Sequence, residues 1–543
     1  MPDAKPLHAP TPMAWRIALG AGVLVLGFTA FALQESIGPR GQGCFGLFCV
    51  LGLVATFSAN LRAVSWRAMA AGFVLQWLLA FLILRFEING LEALGIPDGL
   101  RPGYALFAAA AQAVNKFLEF PAGGLALLFG KLVDEATMKR LFNDDSGIIF
   151  GLGVLPAIIF VSSFFTVLYY FGLLQWIVRV CARVMTYFMG TSGAETLAAI
   201  ANVFMGQTEA PLIVKPYILK MTQSELLALM VGGMATISGG LMAAYIKMGA
   251  DAVAILATSV MAAPCGLYLS KLLLPELEEP ETRGLIKTDA EMPYRNAIDA
   301  AATGASDGLY LVLNVAAMLI AFMGIIAMIN FLLGQFPTHQ EWNQLGDWFD
   351  VRQGWHAVGN WLLTLVAYAP LWLLGRKFWS RRFTNETPAR FGAGQLAVFA
   401  LGYALFLMFV ALAMVLVTEP LSLNWLFSQC FAPLAFLMGV EPRDVPSVAN
   451  LLGTKLAVNE FVAYIELGTT YRVPAISARS HKLATYALTG FANFASIGIQ
   501  IGGIGALAPS RRSDLARLGL RALFVGFLAT ILNATVAGIL LDE

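Results

Sequence analysis

Charged residues are scarce in this chain of 543 residues: they make up only 13% of it, whereas hydrophobic residues make up 58%. A soluble domain covers its surface with about a quarter charged residues, so this composition excludes an ordinary soluble protein. It predicts an all-α polytopic membrane protein with the lipid bilayer as its environment. The formal net charge of +1 provides no basic face, and no nucleic-acid partner is expected.

Cysteine and histidine are also rare. The five cysteines are scattered, mostly inside apolar runs and without a C-x-x-C pair, and the four histidines lie in polar or flanking segments. These patterns indicate neither a disulfide framework nor a zinc site, and no cofactor is expected. The sequence shows no nucleophile with a neighbouring base and no phosphate-binding loop. The chain is therefore predicted not to be an enzyme.

Apolar runs recur at lengths close to the roughly 20 residues that cross a bilayer. The first, 15–33, is longer than a signal-peptide core and is predicted to be a retained anchor. Segments 104–130 and 176–189 are predicted to be amphipathic interfacial helices. The other predicted spans are 44–58, 67–84, 148–171, 225–246, 252–273, 305–333, 357–374, 395–417, 483–507 and 523–541, and an apolar segment at 425–440 precedes the second of the polar islands described below.

Basic residues indicate the orientation, because positive loops stay in the cytoplasm. The turn that carries Arg62 and Arg67 is predicted to be cytoplasmic, and so is the N-terminus. Two later basic segments are predicted to face the same side: 376–382, and a loop with Arg511, Arg512, Arg517 and Arg521. The C-terminus then lies on the outer side.

Two polar islands interrupt the apolar pattern, at 202–217 and at 453–464. Each is followed about thirty residues later by a span broken by small and polar residues, at 235–241 and at 491–498. Carboxylates, amides and hydroxyls are costly in hydrocarbon and therefore belong in a protein-lined cavity. Broken segments in corresponding places of two halves predict a transporter's binding site.

Local signals place the first island more closely. Prolines 211 and 216 are incompatible with one continuous crossing helix, so a re-entrant hairpin with its tip at 206–209 is predicted. The following span is predicted to begin with a capping box, in which Thr222 caps the helix and Glu225 stands three positions later.

Four motifs in order resemble the signature stretches of the concentrative nucleoside transporters: 206–211 (GQTEAP), 221–225 (MTQSE), 459–464 (NEFVAY) and 490–496 (GFANFAS). The resemblance implies a homotrimer in which a scaffold carries a moving transport domain. That domain is expected to contain two inverted repeats, each with a re-entrant hairpin and a broken helix, and to move like an elevator. The additional anchor and an insertion at 335–393 extend the family's eight-span bacterial pattern to about eleven spans.

The resemblance also divides the chain into segments. The predicted organisation is an additional N-terminal anchor (1–40), scaffold spans with interfacial helices (41–190), the first hairpin and broken span (191–250), scaffold spans (251–334), the inserted loop and extra span (335–393), spans leading to the second hairpin (394–440), the second hairpin and broken span (441–510), and a C-terminal span (511–543).

By resemblance, the nucleoside-binding residues fall into three groups. Gln207, Thr208 and Glu209 are expected to face the base. Glu460, Asn493 and Ser496 are expected to face the ribose. Leu241 and Phe491 would supply apolar contacts.

A sodium ion is expected at the first hairpin, bound by the side chains of Asn202, Thr208 and Thr236 and by the carbonyls of Met205 and Ile237. Thr236 stands where relatives often have serine, and its hydroxyl is kept. Sodium is therefore favoured over protons as the coupling ion.

The predicted function is secondary active import of nucleosides of the uridine, cytidine and adenosine class across a bacterial inner membrane. Several alternatives stay open. Glu209 and Glu460 could form ion pairs with Lys215 or Lys455, and Asn493 with Ser496 could be interhelical contacts. Proton coupling, an intramembrane enzyme using the two glutamates, and a channel are further alternatives. Purine or pyrimidine preference, ion stoichiometry and conformational state are left open by the sequence.

Overall fold

The computed structural model describes residues 10–89, 99–142, 150–153, 156–282, 294–334 and 422–541. The chain divides into two compact units, one formed by residues 1–320 with 427–543 and the other by 321–426. The predicted spans 357–374 and 395–417 lie outside the described residues. Within the described ranges the regular elements are helices, and Ile88 and Leu100 form an isolated antiparallel bridge.

The α-helices before the first island include several apolar runs found in the sequence. They are Met13–Ala32 (α1), Gln34–Thr56 (α2), Trp66–Leu84 (α3), Pro102–Phe117 (α4), Ala122–Phe129 (α5), Glu135–Phe142 (α6), Phe150–Gly153 (α7), Ala157–Tyr170 (α8) and Leu173–Met189 (α9).

The remaining helices contain both islands and both broken spans. They are Gly193–Phe204 (α10), Ala210–Ile213 (α11), Lys215–Ile218 (α12), Gln223–Ala235 (α13), Gly239–Lys247 (α14), Ala252–Leu273 (α15), Ala297–Leu333 (α16), Leu423–Leu437 (α17), Val445–Ala457 (α18), Glu460–Thr469 (α19), Ala478–Leu488 (α20), Phe494–Leu507 (α21) and Arg512–Leu540 (α22).

The predicted loop between the first two spans is wrong. Helix α2 begins at Gln34, directly after α1, so the predicted span 44–58 covers only its second part and the boundary at residue 40 falls inside it. The change of direction occurs within α2 instead, at Gly38, which has φ 61° and precedes Pro39. Proline has no backbone N–H to donate, and glycine tolerates a positive φ, so this pair forms a kink inside a helix.

Two other helix starts lie earlier than predicted. Helix α16 begins at Ala297 rather than 305, and α22 begins at Arg512 rather than 523. The predicted arginine-rich loop is therefore largely helical. Asp514 explains this, because its carboxylate lies 2.9 Å from Arg511 Nε and 3.2 Å from Arg517 Nη2, which stabilises charged turns on a helix surface.

Helix α22 forms the centre of the core. Nearly every residue from Ala522 to Gly538 is buried, and the helix packs against α2, α13, α15, α20 and α21. Helix α13 is buried from Ser224 to Ala235. A helix that is buried on all sides needs apolar residues all round, which the composition supplies.

Helix α1 has the opposite surroundings. Only Ala30 is buried in it, and large side chains such as Leu24 and Phe28 are 76% and 73% exposed. An apolar helix of this kind needs a non-aqueous environment. Five helical segments of the described residues are long and apolar enough to cross a membrane, and the α8–α9 pair, bent by 72°, makes a sixth if it counts as one span.

The predicted interruptions are present as helix breaks. Residues 205–209 separate α10 from α11, and residues 236–238 separate α13 from α14. In the second half of the chain, residues 458–459 separate α18 from α19, and residues 489–493 separate α20 from α21. The predicted capping box of Thr222 and Glu225 is confirmed at the start of α13.

Gly490 provides a test of how closely these breaks pack. It has φ 133°, and a Cβ there would lie 2.8 Å from the Met234 carbonyl oxygen and 2.8 Å from Thr530 Cγ2. Gly490→Ala should therefore lower the free energy of unfolding by roughly 1–3 kcal/mol, through clash and backbone strain. The measurement is thermal unfolding of the purified protein in detergent.

Gly498→Ala is the matched control, because Gly498 lies inside α21 with no atom within 4 Å of an added Cβ. Alanine there should be neutral or stabilising by about 0.5–1 kcal/mol, since it favours the helix. Equal melting temperatures for Gly490→Ala and wild type would contradict the close contact.

Candidate functional site

The helix breaks of the two halves touch each other. We call α10–α14 (193–247) the first half and α18–α21 (445–507) the second half. The Phe491 N–H donates to the Thr236 carbonyl oxygen at 3.2 Å, which joins the break after α20 to the break after α13. The polar residues predicted for the two islands therefore gather in one region.

Glu460 is the most completely held carboxylate of this region. It is 4% exposed, and its Oε1 accepts from the Tyr245 hydroxyl at 2.9 Å while its Oε2 accepts from Asn493 Nδ2 at 3.0 Å. Asn493 also caps α21, because its Oδ1 accepts from the Ser496 N–H at 2.8 Å. Both oxygens of a buried carboxylate are thus oriented by neutral donors, which fixes the direction in which it can accept a further hydrogen bond.

Gln207 connects the first half to the second. Its Nε2 donates to Ser496 Oγ at 3.3 Å, and the side chain is 8% exposed. Its Oε1 is buried and has no hydrogen-bond partner. A buried acceptor without a partner costs roughly 1–3 kcal/mol, so this oxygen is suited to a donor group on a ligand.

Thr208 and Glu209 complete the first break. Thr208 is half-buried and lies beside α21, since a Cβ on Gly503 would approach Thr208 Cγ2 to 3.1 Å. Glu209 is exposed, and its carboxylate lies over Gly206, where any larger side chain would collide with it. Glu209 therefore has a different environment from Glu460, and the two carboxylates are not equivalent.

The apolar candidates lie close to these polar groups along the chain. Leu241 is 5% exposed on α14, one turn before Tyr245, and Phe491 is 7% exposed within the break itself. The Tyr245 ring stacks on Tyr464 with centroids 4.4 Å apart, which holds the hydroxyl that reaches Glu460.

The predicted sodium ligands also come together in part. Asn202 is fully buried, and its Nδ2 donates to the Ala198 carbonyl at 2.9 Å. Asn202 Nδ2 lies against Gly232, where a Cβ would be 3.0 Å away, and Gly232 O accepts from Thr236 Oγ1 at 2.8 Å. Asn202 on α10 and Thr236 at the end of α13 thus both contact Gly232.

Asn202 Oδ1 is buried and has no hydrogen-bond partner. Met205 and Ile237 lie in the adjacent breaks, where backbone carbonyls leave the helical pattern. Hard cations prefer oxygen ligands, often carbonyls at such breaks, so these residues fit a sodium ion.

Two residues of the site were missed in the sequence analysis. Tyr245 donates to Glu460, and Gln500 Nε2 donates to the Met230 carbonyl at 2.9 Å, which links α21 to α13. Helical spacing could have identified both, because residues four apart share a face. Tyr245 follows Leu241 by four positions, and Gln500 follows Ser496 by four.

The ion pairs considered as alternatives are absent among the described residues. No lysine or arginine lies within 4 Å of the Glu460 or Glu209 carboxylate there, and Lys215 is exposed. Lys455 donates instead to the Ala487 carbonyl and to Thr530. In the described ranges no group of three histidine, cysteine, aspartate or glutamate residues could hold a metal ion.

A helical membrane protein whose buried polar groups gather at paired helix breaks belongs to the class of broken-helix transport proteins. Three family descriptions match the chain: "Na+ dependent nucleoside transporter N-terminus" (45–132), "Nucleoside recognition" (151–266), and "Na+ dependent nucleoside transporter C-terminus" (254–379 and 389–538). The chain belongs to the sodium-dependent nucleoside transporter family, and the resemblance noted from its motifs is confirmed.

Individual relatives agree with this assignment. Sodium/nucleoside cotransporter 1 of Rattus norvegicus is 37% identical, over 96% of this chain and 67% of its own length. An uncharacterized transporter of Haemophilus influenzae is 36% identical, over 91% of this chain and 96% of its own length. Among solved structures, CNTnw in an inward-facing substrate-bound state has a TM-score of 0.69 and 32% identity, covering 92% of this chain and 97% of that one.

Proposed function

We propose that this protein imports nucleosides through a bacterial inner membrane and that an inward sodium gradient drives the import. The observation that carries the proposal is the series of contacts from Tyr245 through Glu460, Asn493 and Ser496 to Gln207. It connects the two halves through polar groups alone. Such a site is complete only when both halves are in place, as alternating access between two sides requires.

The ligand chemistry follows from the groups available. A nucleoside is uncharged and offers a planar base with donor and acceptor edges and a ribose with vicinal hydroxyls. Glu460, held by two donors, accepts from a ribose hydroxyl, while Asn493 and Ser496 lie beside it. Gln207 presents its free Oε1 to a donor on the base, with Thr208 and Glu209 next to it. Leu241 and Phe491 contact the rings.

Sodium is the proposed coupling ion because Asn202 Oδ1 is buried without a hydrogen-bond partner, and an amide oxygen in such a place is a suitable ligand for a hard cation. The side chains of Thr208 and Thr236 and the carbonyls of Met205 and Ile237 are the other proposed ligands. Bound there, the ion would hold the breaks after α10 and α13 together. Nucleoside binding to Gln207 would then depend on sodium. This coupling would allow the inward sodium gradient to drive the accumulation of nucleoside.

The assembly and motion are also part of the proposal, and they come from the family resemblance. Each protomer of a homotrimer would carry nucleoside by an elevator movement of its two re-entrant hairpins and broken helices. The N-terminus would be cytoplasmic and the C-terminus outside, with about eleven spans.

Uptake of labelled uridine and adenosine into proteoliposomes tests the proposal directly. Accumulation should occur with an inward sodium gradient and not with an inward proton gradient or none. Glu460→Gln and Asn493→Ala should abolish it in folded protein, because each unpairs a buried polar group at a cost of roughly 1–3 kcal/mol. Accumulation driven by a proton gradient alone would mean that the coupling ion is a proton and not sodium. Wild-type uptake by either variant would contradict the assignment of the nucleoside-binding site.

Tyr245→Phe tests the orientation of Glu460. Removing the hydroxyl leaves one carboxylate oxygen without its donor, so nucleoside affinity should fall by about 5- to 100-fold. The control is Tyr268→Phe, because Tyr268 is equally buried but donates to Gln76, at 2.6 Å. Binding of uridine to purified protein is the measurement. An equal loss in both variants would mean that the effect is only structural.

Asn202→Ala tests the ion site. It should raise the sodium concentration needed for half-maximal uridine binding by about 10-fold, because an ion loses one of its oxygen ligands. Affinity at saturating sodium should change little. Asn533→Ala is the control, since Asn533 is also fully buried but accepts from Gln76 in the core. If Asn202→Ala leaves the sodium dependence unchanged, the assignment is wrong.

A further inference from the structure

The two halves place different side chains at the same position. Asn202 stands two residues before the end of α10, and Lys455 stands two residues before the end of α18. Each precedes by 34 positions a threonine that directly follows a later helix of its half, Thr236 after α13 and Thr489 after α20.

The two threonines also behave alike. Thr236 Oγ1 donates to the carbonyl four residues earlier at 2.8 Å, and Thr489 Oγ1 does the same at 2.8 Å. Both threonines have extended backbone at the beginning of a break. The position of Asn202 relative to its break is therefore repeated by Lys455 relative to the second break.

The chemistry of the two positions is complementary. Asn202 brings a buried oxygen without a hydrogen-bond partner, which is proposed to bind sodium. Lys455 brings the cation: it is fully buried, and its Nζ donates to the Ala487 carbonyl at 2.7 Å and to Thr530 Oγ1 at 2.9 Å. The same Nζ lies 5.6 Å from the centroid of the Phe527 ring. Ala487 is two residues before Thr489, at the end of α20.

We propose that the Lys455 ammonium is a tethered cation that does for the second break what a bound sodium ion does for the first. The second half then takes no exchangeable ion at its own break. This inference rests on the proposed sodium role of Asn202. It makes Lys455 a positioning residue, because it acts on the ligand through α20 and the break that carries Asn493.

A packing role alone does not explain Lys455. Burying a charge without a carboxylate partner is costly, and methionine would fill similar space without that cost. Lys455 has only neutral oxygens and an aromatic face around its Nζ in the described part of the chain. The ammonium therefore acts on the second break through the Ala487 carbonyl at the end of α20.

The test is uridine binding to the full chain in lipid nanodiscs, titrated with sodium. Lys455→Met keeps the volume and removes the charge. It should weaken uridine binding at saturating sodium by about 10-fold or more, while the half-saturating sodium concentration stays at the wild-type value. Asn202→Ala, which should shift the sodium dependence instead, is the counterpart in the first half.

A small-cation rescue separates charge from structure. Lys455→Ala should also bind uridine more weakly. Ethylammonium chloride should raise the uridine affinity of this variant by about 3-fold or more, because the amine can occupy the space left by the side chain. Tetramethylammonium, which has no N–H to donate to the Ala487 carbonyl, should restore none. A merely structural lysine would give no such selectivity.

Each outcome bears on the inference. Uridine affinity within about 2-fold of wild type in Lys455→Met would overturn it, and so would a shift of the sodium dependence alone. If Lys455→Met does not fold, Thr530→Val removes one acceptor of the ammonium and keeps the lysine. It should weaken binding by about 3- to 10-fold at unchanged sodium dependence, and wild-type binding there would overturn the inference. Sodium-independent binding by the wild type would instead contradict the proposed function.

Discussion

A helix that is interrupted inside an apolar protein leaves backbone N–H and carbonyl groups without water to bind, and this constraint governs the whole structure. The chain breaks its helices in both halves. At these breaks Ser238, Asn459 and Asn493 cap the helix that follows, each with its own side chain. The contact between Phe491 N–H and Thr236 carbonyl then lets the breaks after α20 and α13 satisfy one another. The buried, all-round apolar helix α22 packs against α13, α20 and α21 and supports this region.

The groups that satisfy the breaks are also the groups proposed to bind nucleoside. Asn493 uses its oxygen to cap α21 and its nitrogen to hold Glu460, so neither bond can change without affecting the other. The two halves differ in how they meet the same need: the first leaves Asn202 Oδ1 free, and the second supplies the ammonium of Lys455. This difference would confine ion exchange to one half.

Structural features that span only a few residues were predicted well, because the interactions that form them involve neighbouring residues of the chain. The capping box at Thr222 and the break at 236–238 follow from hydroxyl, glycine and apolar spacing alone. The start of α22 was not predicted, because arginines were interpreted as a loop whereas Asp514 pairs with two of them on the helix surface. The polar residues after Leu33 were misinterpreted in the same way, since a helix with a kink at Gly38 can include them.

By itself, the sequence determined the class of protein, the positions of the helix breaks and the family, since composition and short motifs carry that information. Which side chains meet was decided only by the tertiary structure. Tyr245 and Glu460 are 215 positions apart, and Gln207 and Ser496 are 289 apart. Their contact depends on how the described helices of the two halves pack against each other and against the buried α22, rather than on any local propensity. The free oxygen of Asn202 and the two acceptors of Lys455 likewise became visible only once the helices were assembled.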